Sequence, residues 1–206
     1  MTSNSTLEIF SDYIWPWCYF ITVRIEQLKR EYDIAIRWRA FSLHPDTPEE
    51  GLLLEQLFAN YPVDVKKMMR KLHKTADDLG LPLGERERTY NSRMAQELGL
   101  WAESKNKGDV FHNAVFRAYF ADGKNIAKTP VLLDLTESAG LPREEAAAVL
   151  ATRAFKEAVD EDWDLSRKMG ITAVPTFVMK QDKLVGAQPY DMLERLMAAN
   201  GIKKRS

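Results

Sequence analysis

Apolar and polar residues alternate with a period of two in three stretches of this chain, and each stretch predicts β-structure. The first stretch surrounds Leu7 and Ile9, and the second is 34–41. The third, 176–186, holds two short apolar runs joined by Gln181-Asp182, a spacing typical of a hairpin. We therefore expect two strands near the start of the chain and a strand pair near its end.

A helical pattern connects the first two strands. Its apolar residues recur at the spacing of one helix face, namely Trp17, Ile21, Ile25 and Leu28. Strand, helix and strand together predict a β-α-β unit, whose crossover should be right-handed and whose strands should be parallel.

From residue 47 to about residue 168 almost every segment has helical periodicity. Turn signals, mostly glycine and proline, separate the segments. The predicted helices include Val65–Leu79, 91–104, 110–120, 130–139 and 143–151. After the hairpin, a last helix is expected over Tyr190–Ala199, ended by Asn200-Gly201. The predicted order is thus β-α-β, a long helical block, and then β-β-α.

Charge and composition exclude several classes of function. Lys and Arg (29) nearly balance Asp and Glu (30) among the 206 residues, so no basic face for nucleic acid is expected. No run approaches the ~18 apolar residues of a membrane helix, and the first residues lack the pattern of a signal peptide. His73 and His112 have no neighbours at ligand spacing, so no metal site is expected. These features predict a cytoplasmic protein that binds neither membrane nor metal.

The residues with the most chemical information are Trp15-Pro16-Trp17-Cys18, at the junction between the first strand and its helix. A Cys-x-x-Cys at such a junction is typical of thiol–disulfide chemistry, and here only the second sulfur is present. Cys18 is the one cysteine of the chain, so no internal disulfide can form. Two interpretations stay open: the first helical turn stabilises a Cys18 thiolate, or Cys18 is a half-buried small apolar residue.

The order of these motifs resembles the DsbA-like family of thioredoxin-fold proteins. Within that family it is most similar to the FrnE-type branch, which is related to 2-hydroxychromene-2-carboxylate isomerases and kappa-class glutathione transferases. The matching segments run in order along nearly the whole chain: 11–19 (Ser-Asp-Tyr-Ile-Trp-Pro-Trp-Cys-Tyr), 41–45, Asn91 with Arg93, 116–120, 170–177 and 186–189. The match departs from the branch at Trp15, where the pattern has cysteine.

The resemblance implies an α/β protein with a thioredoxin fold and a large all-helical insertion. Residues 1–46 plus 169–206 would form the thioredoxin-like domain, and residues 47–168 would form the helical insertion domain. Related proteins are often dimers, so the resemblance also implies a homodimer.

The resemblance also implies a set of site residues. Trp15 and Cys18 occupy the catalytic positions, and Trp15 offers neither a thiol nor the hydroxyl that the isomerase and transferase relatives have there. Val174-Pro175 is expected to form a cis bond near Trp15 or Trp17, and the main chain of Val174 would pair with a peptide-like ligand. The remaining candidates for binding a substrate or glutathione are Trp17, Asn91, Ala187, Gln188 and His44.

Several of these assignments have alternatives. Trp15 is either a stacking platform for an aromatic ligand or the mark of a retired site. Asn91 either contacts glutathione or caps the following helix. His44 is either a proton shuttle or a turn residue, and Val174-Pro175 either binds ligand or only shapes a turn.

Three functions follow from the resemblance. The first is a DsbA/FrnE-like thiol–disulfide oxidoreductase family protein with a single-cysteine site, which acts on thiol or glutathione-linked substrates by monothiol or non-covalent chemistry. The second is a glutathione-dependent isomerase or transferase, which needs a bound glutathione thiolate and no protein cysteine. The third is a non-catalytic protein that binds a peptide or a small aromatic molecule.

Overall fold

A four-stranded sheet forms the centre of the computed structural model, which describes residues 5–205. Six strands follow one another along the chain: β1 (Ser5–Ser11), β2 (Ile34–Ala40), β3 (Leu52–Leu53), β4 (Arg88–Thr89), β5 (Thr176–Met179) and β6 (Asp182–Val185). The sheet has the order β2-β1-β5-β6. β1 pairs in parallel with β2, and both β1–β5 and β5–β6 are antiparallel. This is the sheet of the expected thioredoxin fold.

β1 is central because it is apolar on both faces. Leu7, Ile9 and Phe10 have no exposed surface, which requires neighbours above and below the sheet as well as beside it. Its register places Ile9 opposite Trp38 of β2 and opposite Phe177 of β5. β1 therefore ends, at Ser11, in the middle of the molecule.

Helices cover the sheet and fill the chain between β2 and β5. Their bounds are α1 (Pro16–Phe20), α2 (Thr22–Glu31), α3 (Leu54–Leu57), α4 (Val65–Leu79), α5 (Arg93–Ser104), α6 (Gly108–Phe120), α7 (Thr129–Ser138), α8 (Arg143–Thr152), α9 (Lys156–Lys168) and α10 (Tyr190–Ala199). The predicted bounds of α4 and α10 are confirmed. Asp64 caps α4 by accepting a hydrogen bond from the Lys67 amide, and Gly80 ends it in the left-handed conformation.

Two local features differ from the sequence expectation. The single helix expected from Trp17 to Leu28 is divided at Ile21, which belongs to neither α1 nor α2. The insertion, expected to be all helical, contains the short antiparallel pair β3–β4. Gly51 precedes this pair with φ +78, and a Cβ there would lie 2.5 Å from the Thr89 carbonyl oxygen, so the close approach of the two segments depends on glycine.

The helical block packs directly against the helix that carries Trp17 and Cys18. Tyr19 of α1 stacks on Phe120 of α6 with ring centres 5.0 Å apart, and Tyr13 meets Phe116 edge to face. Buried residues of both parts belong to one hydrophobic core. The division at residues 47 and 168 into separate domains stays a prediction. Within the described residues, no helix is both long and apolar enough to span a bilayer.

Candidate functional site

The first turn of α1 begins without a polar cap. Trp15 precedes it with extended backbone angles, and no side chain accepts a hydrogen bond from the free amides. The Trp15 N–H donates to the Asp12 carbonyl (3.2 Å), and the Trp15 carbonyl accepts from the Cys18 amide (3.0 Å). Pro16 fits the first helical position because it has no N–H to satisfy. The Trp15 side chain is half-buried.

Cys18 lies inside the core. Its side chain has no exposed surface, and burial raises the pKa of its thiol to about 12, although the Ser11 hydroxyl and the Asp12 main chain act in the opposite direction. The effect of burial on the thiol pKa therefore exceeds that of the helix N-terminus, which was expected to favour a thiolate. Of the two interpretations of Cys18, the geometry supports the small buried residue, and it places the thiol deeper than the half-buried side chain expected.

Asp12 is a buried carboxyl beneath the start of α1, and sequence reasoning did not select it. Its Oδ2 accepts a hydrogen bond from the Leu43 amide (3.0 Å) and its Oδ1 from the Ile14 amide (3.4 Å). Burial raises its pKa to about 6, although these amides and the side chains of Ser92 and Gln96 lower it. The carboxyl of Asp12 thus keeps its proton to a higher pH than an ordinary aspartate does. The sequence offered one signal for this site, namely a single acidic residue between an apolar strand and an apolar helix.

Trp15, Pro16 and His44 come together around one small cavity of about 30 Å³. We refer to it as the Trp15 cavity. Burial lowers the pKa of His44, so its imidazole is neutral at pH 7. Arg86 and Thr89 also line this cavity. Sequence analysis gave Arg86 no role, because nothing in its local pattern marks it.

The Val174–Pro175 bond is cis, as expected, and both residues are buried. The Pro175 carbonyl accepts a hydrogen bond from the Gly186 amide (2.7 Å), and the Thr176 hydroxyl donates to the Ala173 carbonyl (2.7 Å). No hydrogen bond within residues 5–205 uses the N–H or C=O of Val174. These main-chain groups therefore have no partner within the described chain, and their pairing with a ligand stays a prediction. Contact of Pro175 with Trp15 or Trp17 stays a prediction.

Asn91 lies in a different cleft, beside Arg93 and Trp163 rather than Trp15. Its Nδ2 donates to the carbonyls of Pro45 (2.9 Å) and Thr47 (2.8 Å), and its Oδ1 accepts from the Arg93 amide (2.9 Å). All its polar groups are thus occupied by the main chain. Ser92, not Asn91, is the N-cap residue of α5, so Asn91 is not the expected N-cap, although it accepts the amide of the first helical residue. Its contact with glutathione stays an untested prediction.

Ala187 and Gln188 form the turn after β6 and are tied to α2. The Arg24 guanidinium donates to the carbonyls of Ala187 (3.2 Å) and Gln188 (2.8 Å), and the Gln188 amide side chain donates to the Val185 carbonyl (2.8 Å). Trp17, half-buried, meets Phe20 edge to face. The roles of Trp17, Ala187 and Gln188 in binding stay predictions.

The described part of the chain contains no group of three His, Cys, Asp or Glu residues placed to hold a metal ion. The surroundings of the Trp15 cavity thus include an indole, a neutral imidazole and an uncapped helix start, and a position of the Val174 main chain beside them stays a prediction. Such a set can bind and orient a ligand and shift a proton, but it presents no exposed nucleophile.

Comparison with known proteins shows similarity along almost the full length of the chain. The uncharacterized protein YwbO of Bacillus subtilis is 25% identical over 201 residues, which cover 96% of this chain and 98% of that protein. The 2-hydroxychromene-2-carboxylate isomerase of Pseudomonas putida is 24% identical over 195 residues, 93% of each chain.

A solved structure shows the same architecture. The probable DsbA oxidoreductase SCO1869 of Streptomyces coelicolor superposes with a TM-score of 0.88 and 27% identity, covering 96% of this chain and 91% of that one. The sequence profile of the DSBA-like thioredoxin domain matches residues 6–198. The chain therefore belongs to the DsbA-like thioredoxin-domain family.

Proposed function

We propose that this protein binds a thiol-bearing, peptide-like ligand of the glutathione type beside Trp15, with one small group of the ligand in the Trp15 cavity, and acts on it without a protein thiolate. It keeps the fold of a thiol–disulfide oxidoreductase but has no dithiol cycle. Trp15, His44 and the main chain of Val174 bind the ligand in this proposal.

One observation carries the proposal: the single sulfur of the site has no exposed surface. A thiol with a pKa of about 12 and no exposed surface is not an attacking group at neutral pH. The exchange of disulfides needs an attacking thiolate and a second, resolving thiol. Trp15 supplies neither, so any sulfur chemistry at this site belongs to the ligand.

The polar groups around the Trp15 cavity, with the Val174 main chain that this proposal places beside them, suit such a ligand. The free N–H and C=O of Val174 can pair with an extended main chain in the way of a strand edge. The indole of Trp15 offers an apolar face, and the neutral His44 can accept a proton from a thiol or a ligand hydroxyl. Asn91 is not needed in this arrangement.

The second candidate is a glutathione-dependent isomerase. It is favoured by the similarity to the 2-hydroxychromene-2-carboxylate isomerase, which extends over 93% of both chains. In this case the bound ligand thiolate would add to an unsaturated aromatic substrate and leave again after rotation about the former double bond, so no net oxidation takes place. A protein cysteine has no part in that reaction.

Calorimetric titration with glutathione tests the proposal in wild type, Cys18→Ala and Trp15→Ala. Cys18→Ala should bind as wild type does, because the sulfur is not used. Trp15→Ala should bind roughly three- to tenfold more weakly, the usual range for loss of an aromatic contact. Tyr61→Ala, which removes an exposed aromatic residue outside the Trp15 cavity, is the matched control and should have no effect.

Loss of binding or turnover in a folded Cys18→Ala variant would mean that the chemistry passes through the protein sulfur, contrary to the proposal. Turnover of 2-hydroxychromene-2-carboxylate that requires glutathione would select the isomerase. Binding of glutathione without turnover of any tested thiol substrate would select the non-catalytic binding protein.

A further inference from the structure

Arg86 lies between two cavities of the molecule. One is the Trp15 cavity, and the other is a cleft of about 600 Å³ formed by α3, α4 and residues 85–87, which we call the α3–α4 cleft. Both are lined by Arg86 and by Leu54. The guanidinium is held in place by two aromatic rings, with its carbon 5.1 Å from the ring centre of Tyr119 and 5.0 Å from that of Phe120.

The positive charge of Arg86 has no carboxylate partner among residues 5–205. Its Nη1 atom is buried and makes no hydrogen bond, and no carboxylate of the described chain lies within ion-pair distance. The acidic neighbours Glu85 and Glu87 are exposed, and Glu85 approaches His73 instead (3.7 Å). A buried donor of a charged group without an acceptor is costly, so such an atom marks a place where a ligand acceptor fits.

The α3–α4 cleft is much larger than the Trp15 cavity, so the body of a ligand fits the cleft and one small anionic group fits the cavity. The α3–α4 cleft has the volume of an ordinary small-molecule site, and Val65 and Met69 give it an apolar floor. The Trp15 cavity, about 30 Å³, has room for only a group of carboxylate size. The lining of the cleft carries Glu55, Glu85 and Glu87 beside Lys66 and Arg70, so these charges nearly cancel, and Arg86 is the basic residue that both cavities share.

We propose that Arg86 binds a carboxylate of the ligand, which enters through the α3–α4 cleft and reaches Trp15. The planar guanidinium offers two parallel N–H donors to the two carboxylate oxygens, a geometry that lysine cannot reproduce. This assignment deepens the proposed function, because it concerns the same site, and it names the substrate class as carboxylates.

The experiment compares each carboxylate with its own amide. Calorimetric titration measures glutathione against glutathione amidated at its glycine, and naphthoate against naphthamide, in wild type, Arg86→Gln, Arg86→Lys and Arg88→Gln. At least one carboxylate should bind wild type roughly ten- to one-hundred-fold more tightly than its amide. Arg86→Gln should remove that difference, and Arg86→Lys should restore part of it.

Arg88→Gln is the matched control, since it removes the same charge two residues away from a side chain that reaches only the Glu50 and Gly51 carbonyls at 3.5 and 3.4 Å. It should bind as wild type does. Equal affinity for acid and amide in wild type, or an unchanged preference in Arg86→Gln, overturns the inference, as does a wild type that binds none of the carboxylates. Circular dichroism of each variant checks its fold, and Arg86→Lys covers the case in which Arg86→Gln does not fold.

The two tested acids also separate the sources of the carboxylate, a peptide or an aromatic acid. Naphthoate carries no thiol, so its result is independent of the sulfur chemistry proposed above. Selective binding of naphthoate without any glutathione binding would support the role of Arg86 while contradicting the glutathione-type ligand. Glutathione binding that does not change in Arg86→Gln would support the glutathione-type ligand while contradicting the role of Arg86.

Discussion

The start of α1 and the contact between α5 and α8 both bury ionisable groups, but only the second provides a countercharge. At the start of α1, Asp12 and Cys18 have neutral partners, and burial raises both pKa values, to about 6 and about 12. In the α5–α8 contact, Glu97 is also fully buried, and burial alone would raise its pKa. Hydrogen bonds from Arg153 and Arg93 lower that pKa overall.

The two regions therefore use burial differently. Glu97 accepts hydrogen bonds from Arg153 (2.6 and 2.8 Å) and Arg93 (2.7 Å), so it stays charged and joins separate segments of the insertion. Asp12 can gain a proton without losing a countercharge, because its hydrogen-bond partners are main-chain amides and neutral side chains. The first arrangement fixes structure, and the second leaves a group that titrates beneath the candidate site.

The largest effect is expected from Trp15→Cys, which supplies the missing sulfur. The new thiol precedes the amides of α1, where a helix N-terminus lowers a thiol pKa below its free value of ~8.5. Redox titration against glutathione should show a reversible disulfide with Cys18, while wild type should stay at background in insulin reduction. The same variant carrying Cys18→Ala is the control and should form no internal disulfide.

A folded Trp15→Cys protein with neither a disulfide nor a lowered thiol pKa would show that the start of α1 is not built as a redox site. Measurable dithiol turnover by wild type would contradict the assignment of Cys18 as a buried, protonated thiol.

The next effect is the protection of Cys18. A pKa of about 12 leaves on the order of a thousandfold less thiolate at pH 8 than a free thiol has, and burial slows access further. Maleimide labelling followed by mass spectrometry should therefore be about a thousandfold slower in native protein than in urea. Native and denatured rates within a factor of about ten would mean that Cys18 is accessible.

Glu97→Gln should come third and lower the free energy of unfolding by about 2–4 kcal/mol, because a neutral amide replaces the buried carboxylate that Arg93 and Arg153 share. Urea denaturation measures the change. Glu145→Gln is the matched control, since Glu145 pairs with Lys105 at the surface and its loss should cost less than about 0.5 kcal/mol. Equal effects of the two substitutions would remove the contrast between the regions.

The smallest effect is the pH dependence due to Asp12. Its pKa in the folded state is above its value in the unfolded chain, so the protonated form favours folding at low pH and that contribution is lost as pH rises from about 4 to about 6. Between pH 4 and pH 6, wild type should therefore lose about 2–3 kcal/mol of unfolding free energy relative to Asp12→Asn, whose side chain does not titrate. A difference that does not change with pH would mean that Asp12 keeps an ordinary pKa.

The sequence predicted the four strands of the central sheet and several helices, because apolar residues recur along the sequence with the period of each element. Val65–Leu79 was predicted to the residue from its helical periodicity and from the turn signals on either side, of which Gly80 directly follows the helix. β3 and β4 were not predicted, because two residues are too few to show alternation and their pairing depends on contacts across the chain.

The candidate site was predictable only in part. Its position followed from the motif at Trp15 and from the order of the matching segments. The depth of Cys18, the raised pKa of Asp12 and the lack of a carboxylate beside Arg86 depend on the residues that the helical insertion places around them. A charge without a partner leaves no mark in the local sequence, which is why Arg86 was missed.

The position of β1 at the centre of the sheet has a consequence for synthesis of the chain. Ile9 emerges from the ribosome early, but its partner on one side, Phe177, follows only after all of the insertion. Until then Leu7, Ile9 and Phe10 belong to a strand with one unpaired edge, which can pair with other chains. We therefore expect nascent chains arrested before residue 176 to bind chaperones and to aggregate, and release to coincide with the emergence of β5 and β6.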